Sequence, residues 1–285
     1  MKGTDYMKTL GYYNGVYDEL DRVCVPMLDR ACYFGDGVYD VTYCRNYRIF
    51  ALDEHVDRFF QSSKSIDIEP PLSKEELKVL LRDLVKKLDC GNQWVYFQLS
   101  RATAVRNHSY PKDSTANLWI MLKPAEIRDT FKPLKCITRE DTRFAHCNVK
   151  SLNLLPNILA KQAAEASGAD ECILHRGTTV TECSHSNLFI LKNGRLITHP
   201  ANQYIYAGTG RAHLLTLANS MGVPTVEREY SLDELLDADE VLITSASALC
   251  MRVIEIDGKE VGSKATYTVK QFQDTLLADY LKQTT

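Results

Sequence analysis

Residues 123–133 turn polar and carry Pro124 and Pro133 toward their two ends, while the sequence on either side mixes strand and helix patterns. Proline fixes φ and removes a backbone donor, so such a stretch suits a connector better than the interior of an element. It divides the 285 residues into an amino-terminal α+β domain, 1–123, a connector, 124–133, and a carboxy-terminal domain, 134–285. A chain of this length buries a substantial core as one large or two medium domains. The class implied is α+β or α/β, in two domains.

The first half opens with strands. Asn14-Gly15 between Tyr13 and Val16 is the signal of a tight hairpin, and residues 38–44 alternate before a turn at Arg45-Asn46, after which residues 47–51 are expected to pair back. A helix is expected after Asp53, with Val56, Phe59, Phe60 and Ser63 on one face. A second is signed by the capping box Ser73-x-x-Glu76 and should bury Leu77, Leu80, Leu81, Leu84 and Leu88. Residues 94–101 and 117–123 read as further strands. In the second half strands are expected near Cys136, Ile173, Phe189 and Ile197, the last two joined by a turn at Asn193-Gly194. Helices should cover 157–167 and 211–221, ended by Gly168 and Gly222, and a final one should present Val269, Phe272, Leu276, Tyr280 and Leu281.

Within this frame Lys150 has apolar flanks, Val149, Leu152, Leu154 and Leu155, and Glu182 follows in the run Thr179-Val180-Thr181-Glu182. A lone lysine is usually a solvated charge, and Glu182 alone reads first as the polar outer face of a strand. The flanks, however, imply a half-buried amine, and burial favours its neutral, nucleophilic form. An amine able to form an imine, with a carboxylate able to keep a pyridine nitrogen protonated, is what pyridoxal phosphate requires of a protein.

That cofactor carries a phosphate, and Gly208-Thr209-Gly210 precedes a helix, where backbone N–H groups bind phosphate. Alone, Gly-x-Gly reads first as an ordinary turn and Arg58 first as a solvated surface charge; both gain weight beside Lys150. Arg106 and His108 lie two apart in a polar loop after a strong strand, where a shared face could grip one carboxylate, or where both could be merely exposed.

The formal charge of −3 and pI near 6.2 give no general attraction for nucleic acid or an anionic membrane surface. Nine cysteines without a C-x-x-C argue against a zinc site or disulfide framework and read as reduced core thiols, and no metal is expected. The amino-terminal residues 1–7 lack the apolar segment of a secretory signal, and no window approaches about 18 uninterrupted apolar residues, so a cytoplasmic, non-membrane protein is expected.

The segments Tyr33-Phe34-Gly35-Asp36-Gly37-Val38-Tyr39, Glu54-His55-Val56-Asp57-Arg58, Arg106-Asn107-His108, Lys150-Ser151-Leu152-Asn153-Leu154-Leu155, Ala160-Lys161-Gln162 and Thr181-Glu182 occur in an order that resembles the fold type IV pyridoxal-phosphate enzymes. The similarity spans nearly the whole length and is nearest the bacterial D-amino acid aminotransferase branch. It implies a two-domain fold of that type, pyridoxal 5'-phosphate as cofactor, and transamination of D-amino acids such as D-alanine with 2-oxoglutarate or another 2-oxo acid, by a homodimer. It also implies that Lys150 binds the cofactor and moves the proton, and that Glu182 pairs with the pyridine nitrogen. Arg58, Thr209 and Gly210 would hold the phosphate, and Tyr39, Arg106 and His108 the substrate carboxylate, one or more of them across a dimer interface. The Arg-x-His pair favours this branch over two alternatives on the same fold, branched-chain L-amino acid aminotransferase and aminodeoxychorismate lyase. Three positions depart from the pattern: Asp40 where Glu is usual, Tyr206 where an aliphatic residue is usual, and Gly210 where a threonine hydroxyl is expected, to be replaced by Thr209, Ser245 or Ser247.

Overall fold

In a computed structural model of the chain, residues 7–285 are described. All but the last residue of the run read for a secretory signal, 1–6, lies outside them. Two compact units emerge: Met1–Glu126 with Val149–Asn153 and Tyr280–Thr285, and Ile127–Asn148 with Leu154–Asp279. Residues 125–133 carry neither helix nor strand. The segment with Lys150, expected to belong with 134–285, instead belongs to the first unit. Backbone hydrogen bonding is the reason: Tyr39 N donates to Lys150 O at 2.9 Å, Leu152 N donates to Gly37 O at 3.1 Å, and Ser151 bridges Val38.

The first unit is built on an antiparallel sheet in the order β2-β1-β6-β5-β3-β4. Its strands are β1 (Leu10–Tyr13), β2 (Val16–Asp18), β3 (Gly37–Arg45), β4 (Arg48–Ile49), β5 (Gln93–Ser100) and β6 (Asn117–Pro124). Asn14 and Gly15 turn the first hairpin with φ of 46° and 94°, the left-handed pair a two-residue turn demands. The β3–β4 turn falls one residue later than expected, on Asn46 and Tyr47 at φ 52° and 61°, and the returning strand is short because Ala51, at φ 48°, already leads into a helix.

Three helices complete the unit: α1 (Arg30–Phe34), α2 (Leu52–Lys64) and α3 (Lys74–Leu84). Ser73 and Glu76 form the expected capping box on α3. Leu77, Leu81, Leu84 and Leu88 join Val56 and Phe59 of α2 in a core against β3, β5 and β6, while Leu80 and Phe60 are only partly buried.

In the second unit a larger sheet runs β12-β11-β10-β13-β14-β7-β8-β9, with β15 beside β14. The strands are β7 (Leu134–Glu140), β8 (Glu171–Arg176), β9 (Thr179–Cys183), β10 (Asn187–Lys192), β11 (Arg195–Thr198), β12 (Thr225–Glu227), β13 (Glu240–Thr244), β14 (Met251–Ile256) and β15 (Lys259–Glu260). β7 is parallel to both neighbours, β8 and β14. Helices α4 (Leu155–Ala166) and α5 (Thr209–Ser220) stop just before Gly168 and Gly222, whose φ of 71° and 74° suit chain reversal. Two further helices are α6 (Leu232–Leu236) and α7 (Thr266–Gln283), and along α7 Val269, Phe272 and Leu276 are buried whereas Leu281 is exposed.

Cys44, Cys136, Cys172, Cys183 and Cys250 are buried, but Cys24 and Cys32 are exposed and depart from the core-thiol expectation. Burial pushes the Cys44 and Cys250 thiols up to about 12, which keeps them unreactive. Among the described residues no helix is long and apolar enough to cross a membrane, and no group of His, Cys, Asp and Glu could hold a metal ion.

Candidate active site

Lys150 reaches its place through β3. Gly37 opens that strand because a Cβ there would lie 2.1 Å from Leu99 O and 2.8 Å from Leu152 Cδ1, so only glycine lets the Val149–Asn153 segment lie alongside. Held in this way, Lys150 is half-buried and its Nζ sits 4.5 Å from the centre of the Tyr39 ring. Tyr39 in turn stacks on Tyr96, centroids 5.6 Å apart and planes 20° from parallel. Amine and phenol are thus fixed by one strand and one backbone ladder.

The next residue of β3 faces the other way and anchors Arg58. Asp40 is fully buried, and its two oxygens accept from Arg58 Nη2 and Nε at 2.8 and 2.9 Å. His55 Nδ1 stands 2.7 Å from Asp40 Oδ1, a distance that directs its proton toward the carboxylate. Burial opposes a charge on Asp40, yet Arg58 and His55 beside it hold the carboxyl well below its usual range. Burial likewise lowers the His55 pKa against the pull of Asp40. The shorter acid at this position therefore makes a bidentate clasp that orients Arg58.

Arg106 and His108 are exposed in the loop after β5, and one ring brings them together. Arg106 Cζ lies 4.7 Å from the centre of Phe34, and the His108 ring lies 5.1 Å from it. Phe34 ends α1, whose N-cap, Asp29, is itself fully buried and accepts from Ser100 Oγ, Asn117 Nδ2 and Trp119 Nε1 at 2.8, 2.9 and 3.2 Å. Of the three expected carboxylate ligands, these two meet at Phe34, whereas Tyr39 meets Lys150.

In the second unit Glu182 sits on β9, 5% exposed. Its Oε1 accepts from Arg143 Nη1 at 2.5 Å, its Oε2 from Asn187 Nδ2 at 2.8 Å, and the main-chain N–H of Tyr206 points at both oxygens at 3.2 Å. Arg143 is gripped from behind by Asp141, at 2.9 Å to each oxygen. Although burial opposes its charge, Asp141 and Glu182 raise the Arg143 pKa further. Beneath the β9–β10 turn, fully buried Glu171 accepts from Ser184 Oγ, from Ser186 Oγ at 2.7 Å and from Cys172 N at 2.8 Å, and pairs with His185 at 2.9 Å. Burial opposes its ionisation, but His185 and these donors bring its carboxyl down to about 2. Neither Arg143 nor Glu171 is marked by periodicity, and both partnerships are too distant along the chain for spacing to suggest.

A second cluster in this unit fits a phosphate. α5 begins at Thr209 with Gly208 as its N-cap, so no side chain caps the first turn, where helical N–H groups lack intrahelical acceptors. At Gly210 a Cβ would stand 3.3 Å from Ser245 O and 3.4 Å from Ser245 N, so glycine is what allows the helix start to approach the Ser245–Ser247 turn. There Ser245 Oγ and Ser247 Oγ are 3.3 Å apart. Amides, two hydroxyls and the positive end of a helix converge, a donor set suited to a dianion.

Residues 37–256 match the model of the amino-transferase class IV family. A protein named D-alanine aminotransferase from Listeria monocytogenes serotype 4b (strain F2365) is 39% identical over 262 residues, which cover 90% of this chain and 91% of that one. Another of that name, from Bacillus licheniformis, is 36% identical over 281 residues, 98% of this chain and 99% of its own. The solved branched-chain amino acid aminotransferase of Escherichia coli has the same fold, with a TM-score of 0.88 at 21% identity over 98% of this chain and 96% of that one. The fold is thus of aminotransferase type IV. The chain belongs to the amino-transferase class IV family.

Proposed function

We propose that the chain is a pyridoxal 5'-phosphate-dependent aminotransferase that moves the amino group of D-alanine or a similar D-amino acid to 2-oxoglutarate or another 2-oxo acid. The observation that carries it is Lys150, a half-buried amine laid against Tyr39 by a segment sewn to β3, in a member of this family. The shared sequence with the two D-alanine aminotransferases supports the donor.

When bound, pyridoxal phosphate supplies an aldehyde and an electron-withdrawing ring. Lys150 Nζ would be the amine that holds that aldehyde, and it would take and return the proton of the substrate Cα. Glu182, kept in place by Arg143 and Asn187, holds the proton of a pyridine nitrogen. Arg58 and the donors of Thr209, Gly210, Ser245 and Ser247 hold the phosphate. Tyr39, Arg106 and His108 bind the substrate carboxylate. With the amine and the carboxylate both fixed, only one enantiomer turns its Cα–H toward Lys150, which is the basis of handedness.

The protein acts as a cytoplasmic homodimer. Leu155, Ile158 and Leu159, all exposed on α4, support the dimer as an apolar surface of the kind a second copy covers. Borohydride reduction should fix the cofactor to Lys150 in wild type and not in Lys150→Ala, which should lose turnover. Full turnover in that variant would rule the assignment out. With wild type, D-alanine and 2-oxoglutarate should exchange the amino group while L-alanine does not, and leaving out the oxo acid should stop turnover.

A further inference from the structure

Arg30, at the start of α1, has no part in the readings above. It is 3% exposed, and a guanidinium removed from water needs both its charge and its N–H groups answered. Its Nε donates to Asp36 Oδ2 at 2.6 Å, and its Nη1 donates to the main-chain carbonyl of Asn107 at 2.6 Å. Its Cζ lies 4.9 Å from the centre of Phe34. Asp36 is shared, since Arg101 Nε points at both of its oxygens at 3.0 Å, so two buried guanidiniums face one carboxylate. Arg101 places its remaining donors on the carbonyls of Asp67 and Ile66. Arg30 places its own on Asn107, the residue between Arg106 and His108. The ring it stacks on is also the ring that carries those two side chains.

We propose that Arg30 is the positioning residue of the carboxylate clamp. By fixing the Asn107 carbonyl and bracing Phe34, it makes Arg106 and His108 present their donors together to the α-carboxylate of an amino acid. The positive charge left over in the Arg30–Arg101–Asp36 group adds a field that favours an anion at the same loop. A lysine cannot replace it, because one ammonium cannot meet Asp36, Asn107 and a ring face with a planar fork. The proposal rests on the reading of Arg106 and His108 as carboxylate ligands, and its test separates the two.

The test is steady-state kinetics with D-alanine for Arg30→Lys, Arg30→Ala, Phe34→Leu, Arg106→Ala and the Arg30→Ala/Arg106→Ala double variant, with the visible spectrum of bound cofactor recorded for each. Loss of a charge-assisted hydrogen bond at a clamp should raise KM about tenfold in Arg30→Lys, with kcat and spectrum close to wild type. The double variant should be little worse than Arg106→Ala alone, because both changes act on one clamp. Phe34→Leu keeps the buried guanidinium and should move KM the same way, which preserves the test if the Arg30 variants fold poorly. If Arg106→Ala raises KM while Arg30→Lys and Phe34→Leu leave it unchanged, or lower kcat and cofactor retention with it, the positioning role is overturned and the clamp stands. If Arg106→Ala leaves KM unchanged, the clamp falls and the role of Arg30 falls with it.

Discussion

Asp40 shows how one buried side chain ties stability to the orientation of Arg58, the residue proposed to hold the phosphate. It lies wholly inside the protein and answers both Arg58 and His55, so Asp40→Asn leaves a guanidinium facing a neutral amide. Removing one member of a buried ion pair costs about 3–5 kcal/mol. Because the folded carboxyl is held below its usual range, its contribution is fully present above the unfolded value of about 4 and is lost as pH falls below it. Thermal melts of wild type and Asp40→Asn should therefore differ most at neutral pH and converge as the solution is acidified below about pH 4. If Arg58 holds the phosphate, the same variant should release pyridoxal phosphate faster in dialysis. Equal melts at pH 7 would refute the clasp. None of these partnerships is legible in the sequence. Lys150, Glu182 and Arg58 can be picked out by chemical type and order, but Asp40, which orients Arg58, and Arg143, which holds Glu182, find these partners only once the sheets have formed.

Elements divide according to whether their pattern is local. The α3 helix is legible because Ser73 and Glu76 cap it within one turn, and β5 because buried Val95 and Phe97 alternate with half-buried Trp94 and Tyr96 over its first half. In contrast β13, Glu240-Val241-Leu242-Ile243-Thr244, is buried at every position, so it has no alternation to read, and its strand identity comes from β10 and β14 on its two sides. The turn after β3 lies one residue beyond its expected place because a tyrosine occupies left-handed backbone there, a conformation its side chain does not advertise. Local signals should have local effects. Ser73→Ala removes the half of the capping box in which the Ser73 hydroxyl accepts from Glu76 N, leaving the backbone N–H of residue 73 on the Glu76 carboxylate, and should lower unfolding stability by about 1 kcal/mol in urea titrations, with no change in KM for D-alanine. A change in KM there would mean that α3 bears on the site.

For the whole molecule, the two compact units have different origins in the chain. The second is nearly continuous, whereas the first collects three stretches, and the least foreseeable is Val149–Asn153. A polar connector could be read from prolines and composition, but the return of a short segment to a distant strand leaves no compositional mark. The proposed dimer makes the exposed apolar face of α4 a testable surface. Replacing Leu155, Ile158 and Leu159 by polar residues should shift the protein toward a monomer in light scattering, and an unchanged mass would place the interface elsewhere. The graft of Val149–Asn153 onto β3 has a consequence of inheritance. β3 is paired with β5 from Gly37 opposite Ser100 to Cys44 opposite Gln93, and a slip of one residue would turn Tyr39 to the opposite face. The amine hangs on the backbone of that same strand, so it would travel with the slip. The Lys150 nitrogen takes its coordinates from strand pairing settled far upstream of it, and a mutation can displace it while the lysine and every immediate neighbour in sequence stay as they were.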